Sequence, residues 1–489
     1  MLSWSEVNVK MIIRVIGFLL MVEGGFMFTC LPFAFYYCGG ECYSLLYSGL
    51  ITAGFGGLLL ISTWKLERKS MGKREGYIIV SFTWIIISIF GTLPYLFSGA
   101  ITNFTDAFFE TISGFTTTGA TILNDIESVS KGILFWRSLT HWIGGMGIIV
   151  LSIAILPLLG IGGMQLFVAE MPGVHYDKLH PRITQTAKRL WAIYLILTVA
   201  ETLLLLGGGM DLFNALCHTF GTVATGGFST QNTSIAGYSP YIQYVIIVFM
   251  ILAGTNFTLH YFALHGKFRK VWKNEEFRKY IYIIAIVSVV IFLALVLLSS
   301  EQVEKAFRDS LFQVVSILTT TGYITSDYLH WHPEFNLWLI LFLLMFVGGS
   351  AGSTGGGIKV IRQLLLFKNS GLELKRLVHP QAIIPVKLNG KAVPQEIIYK
   401  VMAFLMFYII IFAFGVMVMS FLGLDYETAV GSAVATLGNI GPGIGEVGPA
   451  GNYAGIPDLG KWFLSFLMLL GRLELFTVLI ILTPSFWRR

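Results

Sequence analysis

The chain has 489 residues, 55% of them hydrophobic and only 12% charged, with a mean hydropathy of +0.74. A soluble domain carries roughly 25% charged residues, so this composition excludes an ordinary soluble enzyme or binding module. The formal charge of +6 is spread over 33 basic and 27 acidic residues along the chain and does not point to nucleic acid.

Apolar runs of about 20 residues, each long enough to cross a bilayer, recur from end to end. Ten spans are predicted, at 11–37, 44–64, 77–99, 133–159, 189–208, 240–265, 280–300, 337–358, 399–422 and 461–484. The first is longer than a signal-peptide core and lacks an A-x-A-like cleavage site, so it reads as a retained helix. Cys38 and Cys42 bound a Cys-Gly-Gly-Glu-Cys turn; a local disulfide and two thiols are both open readings. Cys30 and Cys217 read as apolar packing residues. The longest polar connection, 359–398, reads as a structured cytoplasmic loop.

Four loops, 65–76, 161–189, 266–279 and 359–400, hold 23 of the 33 basic residues. The opposite segments hold four, Lys131, Lys305, Arg308 and Lys461, with fifteen of the 27 acidic residues. The positive-inside rule therefore predicts cytoplasmic N- and C-termini, with Arg488 and Arg489 in agreement.

Four outer connections each begin with an apolar stretch too short to span and then turn rich in Thr and Gly. They align without gaps: Asp106 through Thr117-Thr118-Gly119, Asn214 through Thr225-Gly226-Gly227, Asp309 through Thr320-Thr321-Gly322, and Asp425 through Thr436-Leu437-Gly438-Asn439. In each, an Asp or Asn precedes the last-named Gly of the Thr-x-Gly by thirteen residues and a Thr precedes it by two. The helices that follow break at small residues: Gly144-Gly145, Ala253-Gly254, Gly348-Gly349 and Gly471-Arg472.

The predicted fold is an all-α membrane protein with four parallel helix–pore-helix–filter–helix repeats around one pore, plus two extra N-terminal transmembrane helices. The units are 1–76 (the extra helices), 77–188, 189–279, 280–398 with a Gly-rich gating loop, and 399–489.

The opening Asp or Asn would cap a short inward-running helix. The carbonyl end of a helix carries about half a negative charge, so four such ends converging on one axis would stabilise a cation. Non-helical backbone at membrane depth is tolerated only inside protein or along a wet cavity. Four Thr-x-Gly loops there would present rings of carbonyl oxygens that replace the water shell of a potassium ion. The bland alternative for any one Thr-x-Gly is helix packing by small residues; four copies at equal offsets argue against it. The acidic outer surface would favour cations, and plain positive-inside asymmetry explains it equally well.

Two features are predicted below these loops. Residues 348–357 include Gly348, Gly349, Gly352, Gly355, Gly356 and Gly357. Gly in a helix interior costs about 1 kcal/mol relative to Ala, so this segment should be an unwound loop facing the pore, with a flexible helix end as the alternative. Arg472 lies within an apolar span, where an ionisable residue marks function by default. Its five donors suit the free carbonyls of that loop, giving a closed gate beneath the filter; the alternative is an ion pair with a nearby acid.

His141-Trp142-Ile143-Gly144-Gly145-Met146-Gly147, Thr319-Thr320-Thr321-Gly322-Tyr323, Gly348 to Lys359 and Leu437 to Gly443 resemble the Trk/Ktr/HKT superfamily of potassium transporters. The two extra N-terminal spans resemble its TrkH branch. The resemblance implies potassium uptake across the bacterial inner membrane, with K+ as the bound and transported ion, no organic cofactor on this chain and no enzymatic activity. It implies membrane lipid, a homodimer and a cytosolic nucleotide-binding regulatory subunit of the TrkA type as partners, the basic loops 266–279 and 359–400 being the expected docking surface. In the superfamily a Ser at the first filter Gly goes with sodium transport; Gly119 keeps the potassium-type residue. The fourth copy departs from the pattern, with Leu437-Gly438-Asn439 where the third has Thr321-Gly322-Tyr323.

Two other readings stay open. A K+/H+ or K+/Na+ symporter would use the same filter; Glu23, Arg14, Glu201, His141 and His260 are intramembrane ionisable residues, each isolated in sequence, and form no visible proton path. A membrane enzyme should cluster His, Asp or Glu at one face, and no such cluster, zinc spacing or triad is seen. Gly441-Pro442-Gly443-Ile444-Gly445 reads as lying outside the membrane.

Overall fold

The computed structural model describes residues 8–37, 41–64, 72–147, 183–299, 302–332, 334–382 and 384–487. Cys38, Arg488, Arg489 and the inner half of the predicted 133–159 span lie outside these residues.

The chain opens with α1 (Val9–Thr29), α2 (Leu31–Tyr36) and α3 (Cys42–Ser62). Pro32 at the start of α2 separates it from α1, because Pro cannot donate to the preceding turn. α1 and α3 meet at small residues. A Cβ on Gly24 would lie 2.8 Å from Gly49 O, and one on Gly56 would lie 2.6 Å from Gly17 O. Backbones can approach this closely only where side chains are absent.

The remainder is four successive units. The first is α4 (Lys73–Gly91), α5 (Leu93–Ser98), the short α6 (Phe104–Phe115) and α7 (Lys131–Trp142), which runs into a π turn at Ile143–Gly147. The second is α8 (Ile183–Gly207), the short α9 (Leu212–Val223), α10 (Pro240–Ala253) and α11 (Phe257–Leu264), the last two meeting at 104°. After α12 (Phe268–Lys273), the third unit is α13 (Glu275–Ser299), α14 (Val303–Leu318) and α15 (Trp338–Leu344). An unwound segment then leads to α16 (Val360–Val378) and a hairpin of β1 (Lys387–Leu388) and β2 (Lys391–Ala392). The fourth unit is α17 (Gln395–Phe421), α18 (Tyr426–Gly438), α19 (Asp458–Arg472) and α20 (Phe476–Leu482), with α19 and α20 bent at 117°. α21 (Pro484–Trp487) closes the described chain.

All four predicted breaks are present: the π turn holds Gly144-Gly145, two bends follow Ala253 and Arg472, and Gly348-Gly349 begins unwound backbone. The predicted span 337–358 is thus not one helix but a seven-residue helix followed by irregular chain. Among the described residues, six helices are long and apolar enough to cross a membrane, or eight with the two bent pairs. The two most apolar, Glu275–Leu298 and Gln395–Phe421, have only 22% of their most apolar stretch buried. Such apolar faces, unlike a soluble surface, require lipid to cover them. The chain is a multi-pass membrane protein.

The short helices α6, α9, α14 and α18 occupy the interior: nearly every residue of their inner halves is buried. On the polar side, Ile361, Leu365, Val386, Leu388 and Val401 form a separate small core, which folds the hairpin onto α16 and the start of α17. The 359–398 connection is therefore structured.

Candidate ion filter and gate

Each short helix ends in a left-handed residue, and that residue starts the filter segment. Thr117, Thr225, Thr320 and Asn439 have φ of 53°, 55°, 60° and 53°. The next residue then donates back five positions: Thr118 N to Ser113 O (2.9 Å), Gly226 N to Gly221 O (2.7 Å), Thr321 N to Ser316 O (2.9 Å) and Ile440 N to Ala435 O (2.9 Å). A glycine with φ of 80°, 80°, 81° or 96° follows at Gly119, Gly227, Gly322 and Gly441. A left-handed L-residue costs roughly 1–2 kcal/mol, and β-branched Thr is poorly suited to it. Strain of this kind collects at functional sites.

This geometry corrects the fourth repeat. Thr436, Leu437 and Gly438 lie inside α18, where the Thr436 hydroxyl donates to Ser432 O at 2.6 Å. The counterpart of Thr117-Thr118-Gly119 is Asn439-Ile440-Gly441, so Gly441 belongs to the ring and not to an outer loop.

The corrected register also realigns the caps. Asn103, Asp211 and Asp425 accept from the first-turn N–H groups of Thr105, Asn214 and Thr428 at 3.0, 3.2 and 3.1 Å. The predicted caps Asp106 and Asn214 sit one turn inside their helices and Asp309 about two turns inside; only Asp425 caps as expected. Asp106 instead pairs with Lys461 at 2.6 Å, joining α6 to α19.

The four loops close on one another. A Cβ on Gly119 would strike Gly226 O, one on Gly227 would strike Thr321 O, and one on Gly322 would strike Ile440 O. A Cβ on Gly441 would lie 2.8 Å from Thr118 O. Each loop's glycine therefore packs against the middle carbonyl of the next, in the order first, second, third, fourth, first. That is a closed quasi-four-fold ring of backbone, and a side chain at any of these glycines would occupy a neighbour's carbonyl.

The unwound segment crosses directly beneath. Gly356 N donates to Thr320 Oγ1 at 2.7 Å, and a Cβ on Gly356 would lie 2.8 Å from Asn439 Cβ. Thr354 Oγ1 lies 3.3 Å from Thr225 Oγ1 and 3.1 Å from Val223 O. The segment is held by Gly348 N to Ile358 O (2.8 Å), Ser350 N to Gly254 O (2.9 Å) and Phe257 N to Gly352 O (3.1 Å). A Cβ on Gly349 would lie 2.9 Å from Gly254 O, and one on Gly355 2.8 Å from Thr319 O, while Gly352 and Gly357 take φ of 72° and 65°. The sequence has glycine where the chain is pressed between two layers.

Arg472 fills the remaining quadrant. Its Nη1 donates to Thr354 O at 2.7 Å and to Thr117 Oγ1 at 3.1 Å. Its Nη2 donates to Gly144 O at 2.5 Å and Gly145 O at 2.8 Å. Those last carbonyls belong to the end of α7 and its π turn, a helix terminus that favours positive charge. Glu474, the acid nearest in sequence, pairs with Arg362 instead. The ring of four loops thus has directly beneath it a layer of glycine-rich backbone and one guanidinium.

The family model for the TrkH cation transport proteins matches residues 45–488. The chain belongs to the TrkH family. It is 43% identical over 489 residues to the Trk system potassium uptake protein TrkH of Escherichia coli K12, covering 98% of this chain and 99% of that one. It is 39% identical to the TrkH of Halomonas elongata, over 99% of this chain and 100% of that one. The crystal structure of the potassium transporter TrkH from Vibrio parahaemolyticus superposes with a TM-score of 0.87 at 40% identity, covering 99% of this chain and 100% of that one.

In this TrkH-family chain the isolated ionisable residues take distinct places. His141 backs the ring: its Nε2 accepts from Phe228 N at 3.2 Å, which leaves Nδ1 to donate to Gly114 O at 2.7 Å. His260 Nε2 bonds Leu252 O at 2.8 Å. Glu23 is fully buried, with neither carboxyl oxygen bonded among the described residues.

Sequence reasoning missed three groups. One is Ile440-Gly441. Another is the buried pair Glu110–Arg137 (2.7 Å), whose carboxylate accepts from Thr121 Oγ1 and Ile122 N at 2.9 Å each; the signal was a lone acid and a lone base in adjoining apolar helices. The third is Glu276, whose Oε1 accepts from Ala351 N in the unwound segment at 2.6 Å.

Proposed function

We propose that this chain takes up potassium across a bacterial inner membrane through a gated pore, with both termini cytoplasmic. The closed ring of four loops carries the reading: a single circle of backbone, fed by four helix carbonyl ends, suits a dehydrated monovalent cation better than an organic solute. The filter residues are Thr117-Thr118-Gly119, Thr225-Gly226-Gly227, Thr320-Thr321-Gly322 and Asn439-Ile440-Gly441. The gate is the 348–357 segment with Arg472. The guanidinium repels an ion leaving the ring, and its bonds to Thr354 O and Gly144 O pin the plug in place. Opening requires that these bonds be exchanged for others. The relatives' name, potassium uptake protein, supports potassium as the ion, and their designation as a Trk system supports further components. A homodimer and a TrkA-type nucleotide-binding subunit docked on the basic cytosolic loops complete the assembly.

The test is rescue of a potassium-requiring strain by the intact chain, with rubidium and sodium as competitors. Growth at low potassium, inhibited by rubidium and not by equal sodium, is the expected result. Failure of an inserted, full-length chain to support growth or to load rubidium overturns the reading.

A further inference from the structure

The ring is also tied from behind, seam by seam, and each tie ends on backbone in or near a filter loop. Between the first and second loops, Arg137 donates to Ser229 O at 2.9 Å and lies 3.6 Å above the Phe228 ring, beside His141. The other three seams each hold a buried tyrosine, two of which cross by the hydroxyl and one by its backbone N–H. Tyr323, which follows Gly322, donates to His218 O in the second pore helix at 2.9 Å. Tyr328, in the third outer loop, donates to Gly443 O of the fourth at 2.7 Å. Tyr453 donates to Gly441 O at 2.8 Å, while its own N–H donates to Thr121 O of the first loop at 2.8 Å and its ring packs on Phe109. All three tyrosines are at most 2% exposed.

These contacts are not interchangeable packing. A buried phenol needs a partner, and here the partners are a carbonyl of the second pore helix, one of the fourth outer loop and one of the ring itself. A peptide plane held by a phenol cannot rotate to follow a smaller ion. The loops are non-identical, so no symmetry equalises their spacing, and each seam needs its own spacer.

We propose that Tyr323, Tyr328 and Tyr453 are positioning residues for ion selection: the Tyr323 and Tyr328 hydroxyls join neighbouring repeats, and the Tyr453 hydroxyl holds the ring residue Gly441 to the segment that bonds the first loop. This rests on the ring being a potassium filter. Removing one hydroxyl leaves the ring fold intact and lets that seam relax, so that a smaller cation is better accommodated. The size expected is a two- to tenfold fall in the rubidium-to-sodium flux ratio, about what one net hydrogen bond contributes.

The experiment compares rubidium and sodium uptake into liposomes by the full chain and by Tyr323→Phe, Tyr328→Phe and Tyr453→Phe. The control is Tyr408→Phe, a tyrosine 1% exposed whose hydroxyl has no bond among the described residues. Thermal midpoints in detergent report folding. A lowered flux ratio with retained rubidium uptake and an unchanged midpoint, absent in Tyr408→Phe, is the expected result. An unchanged ratio in the folded seam variants, or an equal fall in the control, overturns the proposal. The three seams are independent, so misfolding of one variant leaves the others to decide. A wild-type chain that does not prefer rubidium would instead refute the filter itself.

Discussion

Glu276 and Ala351 are joined by a 2.6 Å hydrogen bond from the Ala351 N–H to the Glu276 carboxylate, which ties the first turn of α13 to the unwound segment beneath the ring. The neighbouring Glu275 pairs with Lys368 of α16, and its N–H donates to Asn389 of the hairpin at 2.8 Å. One helix end therefore holds both the unwound segment and the polar-side elements. Glu276→Ala removes the acceptor and leaves a partly buried N–H unsatisfied, a cost of about 1–3 kcal/mol to the plugged state. The expected result is several-fold higher rubidium flux in liposomes. Glu276→Gln keeps an acceptor and should stay near wild type; equal flux in all three proteins would exclude a latch.

Arg472→Ala should raise flux by at least several-fold, because it removes both the positive charge and the donors to Thr354 O and Gly144 O. Arg472→Lys keeps the charge without the planar fork and should fall between. Unchanged or reduced flux in a folded Arg472→Ala protein counts against the gate.

Gly119→Ala and Gly119→Ser place a Cβ on the Gly226 carbonyl at a φ of 80°. Both should displace that carbonyl and lower the rubidium-to-sodium flux ratio. If only the serine variant changes the ratio, the hydroxyl and not the collision is responsible. Unchanged ratios in both would show that the two loops are not in contact during conduction.

Asp425 caps the fourth pore helix. The Thr428 hydroxyl and N–H hold its carboxyl below the ordinary value of 3.8. The cap's contribution is therefore fully present above the unfolded value and is lost as pH falls through the lower folded one. Asp425→Ala should cost about 1 kcal/mol, seen as a lower thermal midpoint at neutral pH, and Asp425→Asn should cost less. The gap between Asp425 and Asp425→Ala proteins should close in strong acid.

Much of this was legible from the chain. The apolar runs gave the spans, and the threonine–glycine segments gave three of the four loops, because backbone that must turn left-handed and then accept a neighbour's carbonyl leaves few residue choices. Arg472 stood out as a charge in an apolar run, and the glycines of 348–357 as residues no helix would want. The fourth loop misled for a physical reason. Thr436 and Gly438 reproduce the spacing by chance, and nothing in composition separates a helical Thr-Leu-Gly from a filter one. The better clue was Asn439, since Asn tolerates the left-handed region, followed two residues later by Gly441. The caps failed with it, because Asp106, Asn214 and Asp309 offered a false common register. The seam tyrosines and the Glu276 bond depend on contacts between distant segments, which periodicity does not record.

The hydrogen bond from Asn439 Nδ2 to Thr118 Oγ1, 2.9 Å long, joins residues 321 positions apart. With Gly441 against Thr118 O, it is the last seam a ribosome can supply. Until residue 439 is made, the first three loops have no fourth neighbour to close against, and contacts this remote in sequence form late. A nascent chain cut before Asn439 holds three quarters of a circle, which encloses nothing. The same final quarter brings Arg472, so the ring closes and the guanidinium beneath it arrives in one stretch of chain.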